Sequence, residues 1–165
     1  MSTLTIRSAT PADLPTIEKI EIRCFSVLRR SSRRALKHSL TSASQSVWVA
    51  EDHTRGNSQI AGAMTLHHRL LSIRIYSVAV LPAFRRSGVG RQMVKHAITL
   101  AQRTGRSAVT LEADRRNRTL TGWYETFGFE TFRVLKDYYS QGRHAVRMRM
   151  ELNSALKGGR VRGCS

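Results

Sequence analysis

Arg85-Arg86-Ser87-Gly88-Val89-Gly90-Arg91 is the segment of this 165-residue chain best suited to hold an anion, and no acidic residue occurs between Asp52 and Glu112, on either side of it. Glycines let a backbone approach an anion closely, the first amides of a helix have no intrahelical acceptor, and flanking arginines add charge. Residues 73–80 (Ile73-Arg74-Ile75-Tyr76-Ser77-Val78-Ala79-Val80) read as a strand leading into the segment, and an amphipathic stretch leaves it. That order of parts makes a phosphate cradle. A nucleotide-hydrolysing loop would end in Gly-Lys-Ser/Thr, which is missing, and a dinucleotide fingerprint needs a small residue where Met93 stands. A plain strand-to-helix turn is the other reading the glycines allow.

Two further residues could move protons. Glu112 ends the apolar run 108–111, where a carboxylate can take a proton from a nucleophile or pair with Arg115 or Arg116. Tyr124 shares a helical stripe with Leu120, Trp123 and Phe127, so it is either a packing aromatic or a phenol able to give up a proton. His67 and His68 are adjacent but lack metal-ligand spacing, and Cys24 and Cys164 have no C-x-x-C partner, so no metal site is expected. Both cysteines are expected to lie away from the site motifs.

These groups need a frame, and the periodicity supplies one. Leu4-Thr5-Ile6 reads as a first strand; Thr10 caps a helix that has Pro11 at its first position and Leu14, Ile17 and Ile20 on one face. A second helix is expected over 32–40 with Leu36 and Leu40 inward, then a Ser/Thr-rich loop over 39–46. Strands follow at 47–50, 60–67 and 73–80, the first two joined by a turn at 51–57. A helix carrying Val89, Met93, Val94, Ala97, Ile98 and Ala101 on one face stops at Gly105, and residues 108–111 form the next strand, giving a right-handed parallel crossover. Asn117 can cap a short helix that Gly128 ends. Two strands close the chain, the last alternating Val146, Met148, Met150 and Leu152 with Arg147, Arg149 and Glu151.

The order β-α-α-β-β-β-α-β-α-β-β over residues 4–152 resembles the GNAT N-acetyltransferases, and Arg-x-x-Gly-x-Gly from Arg85 resembles their coenzyme A pyrophosphate loop. Tyr124-Glu125-Thr126-Phe127-Gly128-Phe129 is similar to the family's Tyr-x-x-x-Gly-Phe signature, with Asn117 upstream as usual. Leu111-Glu112 and Asp137-Tyr138-Tyr139 resemble the peptide N-terminal acetyltransferase subgroup, which includes the bacterial ribosomal-protein alanine enzymes. The resemblance implies an α/β single-domain GNAT fold: a mixed, mostly antiparallel seven-stranded sheet splayed at the fourth and fifth strands, with about four helices. It implies acetyl-CoA as co-substrate and no metal. By the same resemblance the backbone of Val78, Ala79 and Val80 pairs with the pantetheine arm, and Arg85, Arg86, Ser87, Gly88, Val89, Gly90 and Arg91 hold the pyrophosphate. Asn117 contacts the cofactor, caps its helix, or both; Glu112 is the general base and Tyr124 the general acid; Tyr138 and Tyr139 shape the acceptor groove. The implied reaction is acetyl transfer to a primary amine, above all a protein or peptide N-terminus, with a lysine or small-amine acceptor as the alternative. The chain departs from the subgroup in Ala113-Asp114, where Val-Arg is usual, in Arg85, where glutamine is usual, and in its arginine-rich second helix.

Composition bounds the rest. The length suits one domain, expected over 1–152, with 153–165 a basic, disordered tail. The formal net charge is +17, with arginines grouped at 29, 30, 33 and 34, at 85, 86 and 91, and at 115, 116 and 118. Such a field either attracts polyanions, making a ribosome- or RNA-binding module on this fold the reading from another class, or is only a solvated face. The N-terminus lacks a signal-peptide core and no run reaches membrane-spanning length, so a cytoplasmic protein is expected.

Overall fold

The computed structural model describes residues 3–54 and 56–152; the tail expected at 153–165 lies outside them. Seven strands are β1 (Leu4–Ser8), β2 (Gln45–Asp52), β3 (Gln59–His68), β4 (Ser72–Val80), β5 (Ala108–Asp114), β6 (Glu130–Ser140) and β7 (Arg143–Glu151). Four helices are α1 (Leu14–Cys24), α2 (Arg33–Thr41), α3 (Val89–Arg103) and α4 (Arg118–Glu125). The strand order is β1-β2-β3-β4-β5-β7-β6, and only β4 and β5 run parallel.

One register feature makes the site possible. β4 pairs with β5 only from Ser72–Ala108 to Ile75–Leu111, while its pairing with β3 continues to Val80 opposite Gly62. β5 meanwhile follows β7 as far as Asp114 opposite Ala145. Beyond Ile75 and Leu111 the sheet therefore divides, leaving a cleft with β4 on one wall and β5 on the other. A bulge accompanies the division: Thr65 pairs with Ser77 and Leu66 with Ile75, so Tyr76 is the unpaired residue. An extra residue increases local twist and bends the bulged strand, which turns the end of β4 away from β5.

The two faces of the sheet are covered unequally. On one face α3 inserts Met93, Val94, Ala97 and Ala101 against Met64, Leu66, Ile73, Ile75, Val109, Leu111, Val146 and Met148, all buried. On the other, Leu14, Ile17, Ile20 and Leu36 of α1 and α2 pack on Val47, Val49, Ala63 and Ala79 of β2, β3 and β4. Residues alternate faces along a strand, so Glu112, between buried Leu111 and Ala113, points to the α1 side, as does Arg147 between Val146 and Met148. That half of the sheet is polar, not a second core. Among the described residues no helix is long and apolar enough to cross a membrane.

The element order matches the sequence reading, with local differences. The loop expected over 39–46 is mostly structured. Ser39 and Thr41 donate their hydroxyls to the carbonyls of Ala35 and Lys37, so these polar side chains extend α2 to Thr41, and β2 begins at Gln45. The connection from α1 to α2 is held by Glu21, 4% exposed, whose Oε2 accepts the Ser31 amide at 2.8 Å. Burial pushes the Glu21 carboxyl above its ordinary pKa, opposed by that hydrogen bond. A carboxyl raised on folding destabilises once pH exceeds its folded value, and the cost vanishes below its unfolded value. Glu21→Gln, which keeps an acceptor oxygen, should therefore raise the melting temperature at pH 8, with the gain shrinking as pH falls toward 4. A melting-temperature difference independent of pH would contradict this.

Candidate active site

The cleft wall on β4 is a strand edge without a strand partner. The Leu81 amide donates to Ala61 O on the β3 side at 2.9 Å. Successive residues turn their backbone groups to opposite sides, so N–H and C=O of Val80, and likewise Val78, face the cleft. The Val80 carbonyl accepts from Arg85 Nε at 3.1 Å and from Cys24 Sγ at 3.5 Å. Cys24 is therefore at the cleft, not away from it as the sequence suggested, because the C-terminus of α1 crosses the end of β4. Burial raises the Cys24 thiol above its ordinary pKa, with Arg85 opposing. The thiol is a neutral donor here.

Beyond β4, a 3-10 turn (Pro82–Phe84) leads into the glycine segment. Arg86 and Gly88 both adopt left-handed backbone, with φ of 63° and 85°. Gly88 is the N-cap of α3 and provides no side-chain cap; the Gln92 amide is the one that closes onto Gly88 O, at 3.0 Å. By helix geometry the amides of Val89, Gly90 and Arg91 then have no intrahelical acceptor. Arg91 is held with its guanidinium carbon 5.0 Å from the Phe127 ring centroid. Exposed arginines, open amides and a free strand edge in series fit a pyrophosphate followed by an amide-bearing arm. Asn117 Oδ1 caps α4 by accepting the Leu120 amide at 3.0 Å, while its Nδ2 makes no hydrogen bond among the described residues.

Tyr124 is 8% exposed, with its ring edge-on to Phe129 at 5.7 Å and tilted against Trp123 at 5.0 Å. Among the described residues its hydroxyl has no hydrogen-bond partner. Burial, with a smaller contribution from Tyr139, pushes its pKa up to about 12. It stays protonated throughout the physiological range and is available only as a donor.

Glu112 lies within β5, two residues short of its end, and its partners are not Arg115 or Arg116. Oε2 accepts from Arg74 Nε at 2.7 Å and Oε1 from Arg147 Nε at 2.8 Å. The Glu112 side chain is 5% exposed and that of Arg74 14%. The register explains the pairing: Arg147 is directly opposite Glu112 on β7, and Arg74 on β4 pairs with Thr110, two places back on the same face. Arg74 also donates to the Tyr138 hydroxyl at 2.9 Å.

Asp114, at the end of β5, forms a second such cluster. Arg29 Nη2 reaches its Oδ2 at 2.8 Å, Arg143 donates to the same oxygen, and the Arg116 amide donates to Oδ1 at 2.9 Å. Burial disfavours the charged Asp114, but Arg143, the Arg116 amide and Arg29 together outweigh it and hold the carboxyl well below the usual range. The Arg29 guanidinium also lies 4.0 Å above the Tyr139 ring, which stands edge-on to Tyr138. Two members of the early basic cluster are thus already paired, Arg29 with Asp114 and Arg33 with Glu18. Sequence reasoning missed Arg29, Arg74, Asp114, Arg143 and Arg147. For Arg147 a signal existed, since it alternates outward on the strand that pairs with β5.

Three comparisons bear on this geometry. The acetyltransferase (GNAT) domain family model matches residues 43–131. The ribosomal protein bS18-alanine N-acetyltransferase of Escherichia coli (strain K12) is 29% identical over 65 residues, 39% of this chain and 44% of that protein. The match thus spans under half the length of that curated relative. The crystal structure of the Escherichia coli ribosomal-protein-S18-alanine N-acetyltransferase superposes with a TM-score of 0.82 at 21% identity, covering 94% of this chain and 98% of the other. Arabidopsis thaliana NAA60 in complex with a bisubstrate analogue gives 0.80 at 17% identity, covering 92% and 100%. At these identities the two structures establish the fold.

Proposed function

The chain belongs to the GNAT acetyltransferase family, and on that premise we propose that it transfers the acetyl group of acetyl-CoA to the α-amine of a protein or peptide N-terminus. The relatives named above support an N-terminal acceptor. The bound co-substrate supplies an acetyl thioester. The open amides of Val89, Gly90 and Arg91, with Arg85, Arg86 and the Ser87-Gly88 turn, bind its phosphates, and the cleft edge at Val78 and Val80 pairs with its arm. Ala79, expected to share in this, instead turns its backbone groups to Ala63 on β3. Asn117 Nδ2 offers a further donor beside them. The Val80 N–H donates to the carbonyl oxygen that gains negative charge. Tyr124, protonated and without a partner, gives its proton to the departing thiolate. Glu112, directly or through a water, takes the proton from the amine, and Tyr138 and Tyr139 border the acceptor's path.

The observation that carries the choice of acceptor is the pairing of Glu112. Both of its oxygens already accept from guanidiniums, Oε2 from Arg74 and Oε1 from Arg147, so an incoming amine must share them. At pH 7 about one α-amine in ten is already neutral, against about four lysines in ten thousand. A carboxylate whose two oxygens are already engaged suits the acceptor that needs least help. Initial rates should therefore rise close to tenfold per pH unit below about pH 7.5 and level off near 8, where the α-amine titrates. CoA release from a peptide with a free α-amine, compared with the same peptide blocked there but carrying a lysine, tests the reading. A rate that still climbs past pH 9.5, or faster turnover of the blocked peptide, would contradict it.

A further inference from the structure

The acceptor side of the cleft has more positive charge than its carboxylates can absorb. Arg29, Arg74, Arg143 and Arg147 share Glu112 and Asp114. Immediately past Asp114 a pocket of about 450 Å³ opens between the β5–α4 connection and the β6–β7 turn, lined by Arg115, Arg116, Arg118, Gly142 and His144. No carboxylate lines it. Its walls are fixed by the backbone: the Arg115 amide donates to His144 O at 3.1 Å, and Arg116 Nη2 to Gly142 O at 3.2 Å. Asp137, beside His144, is committed to the turn, its Oδ1 accepting the Gly142 amide at 2.7 Å and lying 3.7 Å from His144 Nδ1. His144 Nδ1 accepts the Asp137 amide at 2.9 Å, so the neutral ring has its hydrogen on Nε2. Among the described residues the side chains of Arg115 and Arg118 have no carboxylate partner.

We propose that this pocket is an anion subsite for the acceptor, and that the enzyme prefers acceptors with acidic side chains shortly after the reacting amine. The proposal rests on the N-terminal acetyl-transfer reading and names its substrate class. At about 3.3 Å per residue β5 ends roughly 7 Å beyond Glu112, and Arg115 and Arg116 follow in the turn after it, within reach of about three extended acceptor residues. A carboxylate at the third or fourth acceptor position would meet the Arg115 and Arg118 guanidiniums there. The same charge count disfavours polyamines and basic peptides, since both site carboxylates are already taken. The pocket is concave and follows directly on the end of β5, and the pairing of Arg29 and Arg33 interrupts the basic surface that a nucleic-acid backbone would follow.

The test uses three peptides identical except for Asp-Glu, Asn-Gln or Lys-Arg at positions three and four, with wild-type protein and Arg115→Gln/Arg118→Gln. The wild type should favour the acidic peptide over the basic one by about five- to tenfold in kcat/KM, mainly through KM, as partly exposed charge pairs allow. The double variant should lose most of that preference and keep its kcat on the neutral peptide. Equal use of all three peptides by the wild type, or preference retained by the variant, overturns the proposal. Fluorescence anisotropy with an N-terminally blocked acidic peptide gives a readout without turnover. Binding that falls in the double variant upholds the subsite even if no peptide is acetylated, which would defeat only the transfer reading. A short RNA that binds through these arginines where the acidic peptide does not would make the pocket a nucleic-acid site and overturn the proposal.

Discussion

Tyr124→Phe should lower kcat on a peptide acceptor by roughly 10²–10⁴-fold, the usual worth of a positioned proton donor. The loss should be of one kind only. The hydroxyl has no partner among the described residues, so its removal breaks no hydrogen bond, and phenylalanine keeps the ring contacts with Trp123 and Phe129. Melting temperature and acetyl-CoA affinity should stay near wild type. Raising the pH should not restore the rate, since what is missing is a proton for the leaving thiolate. Glu112→Gln makes a poorer probe, because it weakens one arm of a buried pairing with Arg74 and Arg147 and mixes stability with chemistry. A Tyr124→Phe rate within about threefold of wild type, far short of that range, would return Tyr124 to a packing role.

Gly90→Asp should abolish acetyl-CoA binding while leaving the fold intact. A Cβ at Gly90 would meet Trp123 at 3.5 Å and Val80 at 3.6 Å, ordinary contacts, and an acid in the first turn of α3 suits the helix dipole. The substitution therefore tests charge, not strain. Gly88→Asp does not separate the two, because φ there is +85° and any side chain is strained. Ligand at a hundred times its dissociation constant stabilises a protein by about 2.7 kcal/mol, a shift easily read by thermal melting. Wild type and Gly90→Ala should show it and Gly90→Asp should not. A full shift in Gly90→Asp would move the phosphates away from the start of α3.

Much of this was legible in the chain because local chemistry specified it. The glycine segment announced a strand-to-helix turn through residue types alone, and Gly88 and Gly105 do adopt positive φ. The alternation on β7 gave its apolar face correctly. What escaped was cross-strand. That Glu112 is held by Arg74 and Arg147 depends on two registers, one parallel and one antiparallel, that no local pattern encodes. Cys24 reaches Val80 only because the end of α1 crosses β4, a tertiary fact. The Arg29–Asp114–Arg143 cluster joins the α1–α2 connection to the end of β5 and the start of β7, segments far apart in sequence, which made Arg29 look like surface charge. The substitution of Asp114 for the usual arginine was visible, and its meaning became clear only with the partners in view.

The central claim is that an acetyl group goes to an N-terminal α-amine, and locating that group tests it most directly. A peptide with a free α-amine and one internal lysine, incubated with acetyl-CoA and protein at pH 7.5, can be sequenced by fragmentation mass spectrometry. The account predicts acetylation on the N-terminal fragment ions alone, absent with Tyr124→Phe over the same interval. An acetyl group on the lysine, or no enzyme-dependent acetylation while acetyl-CoA binds, would contradict it.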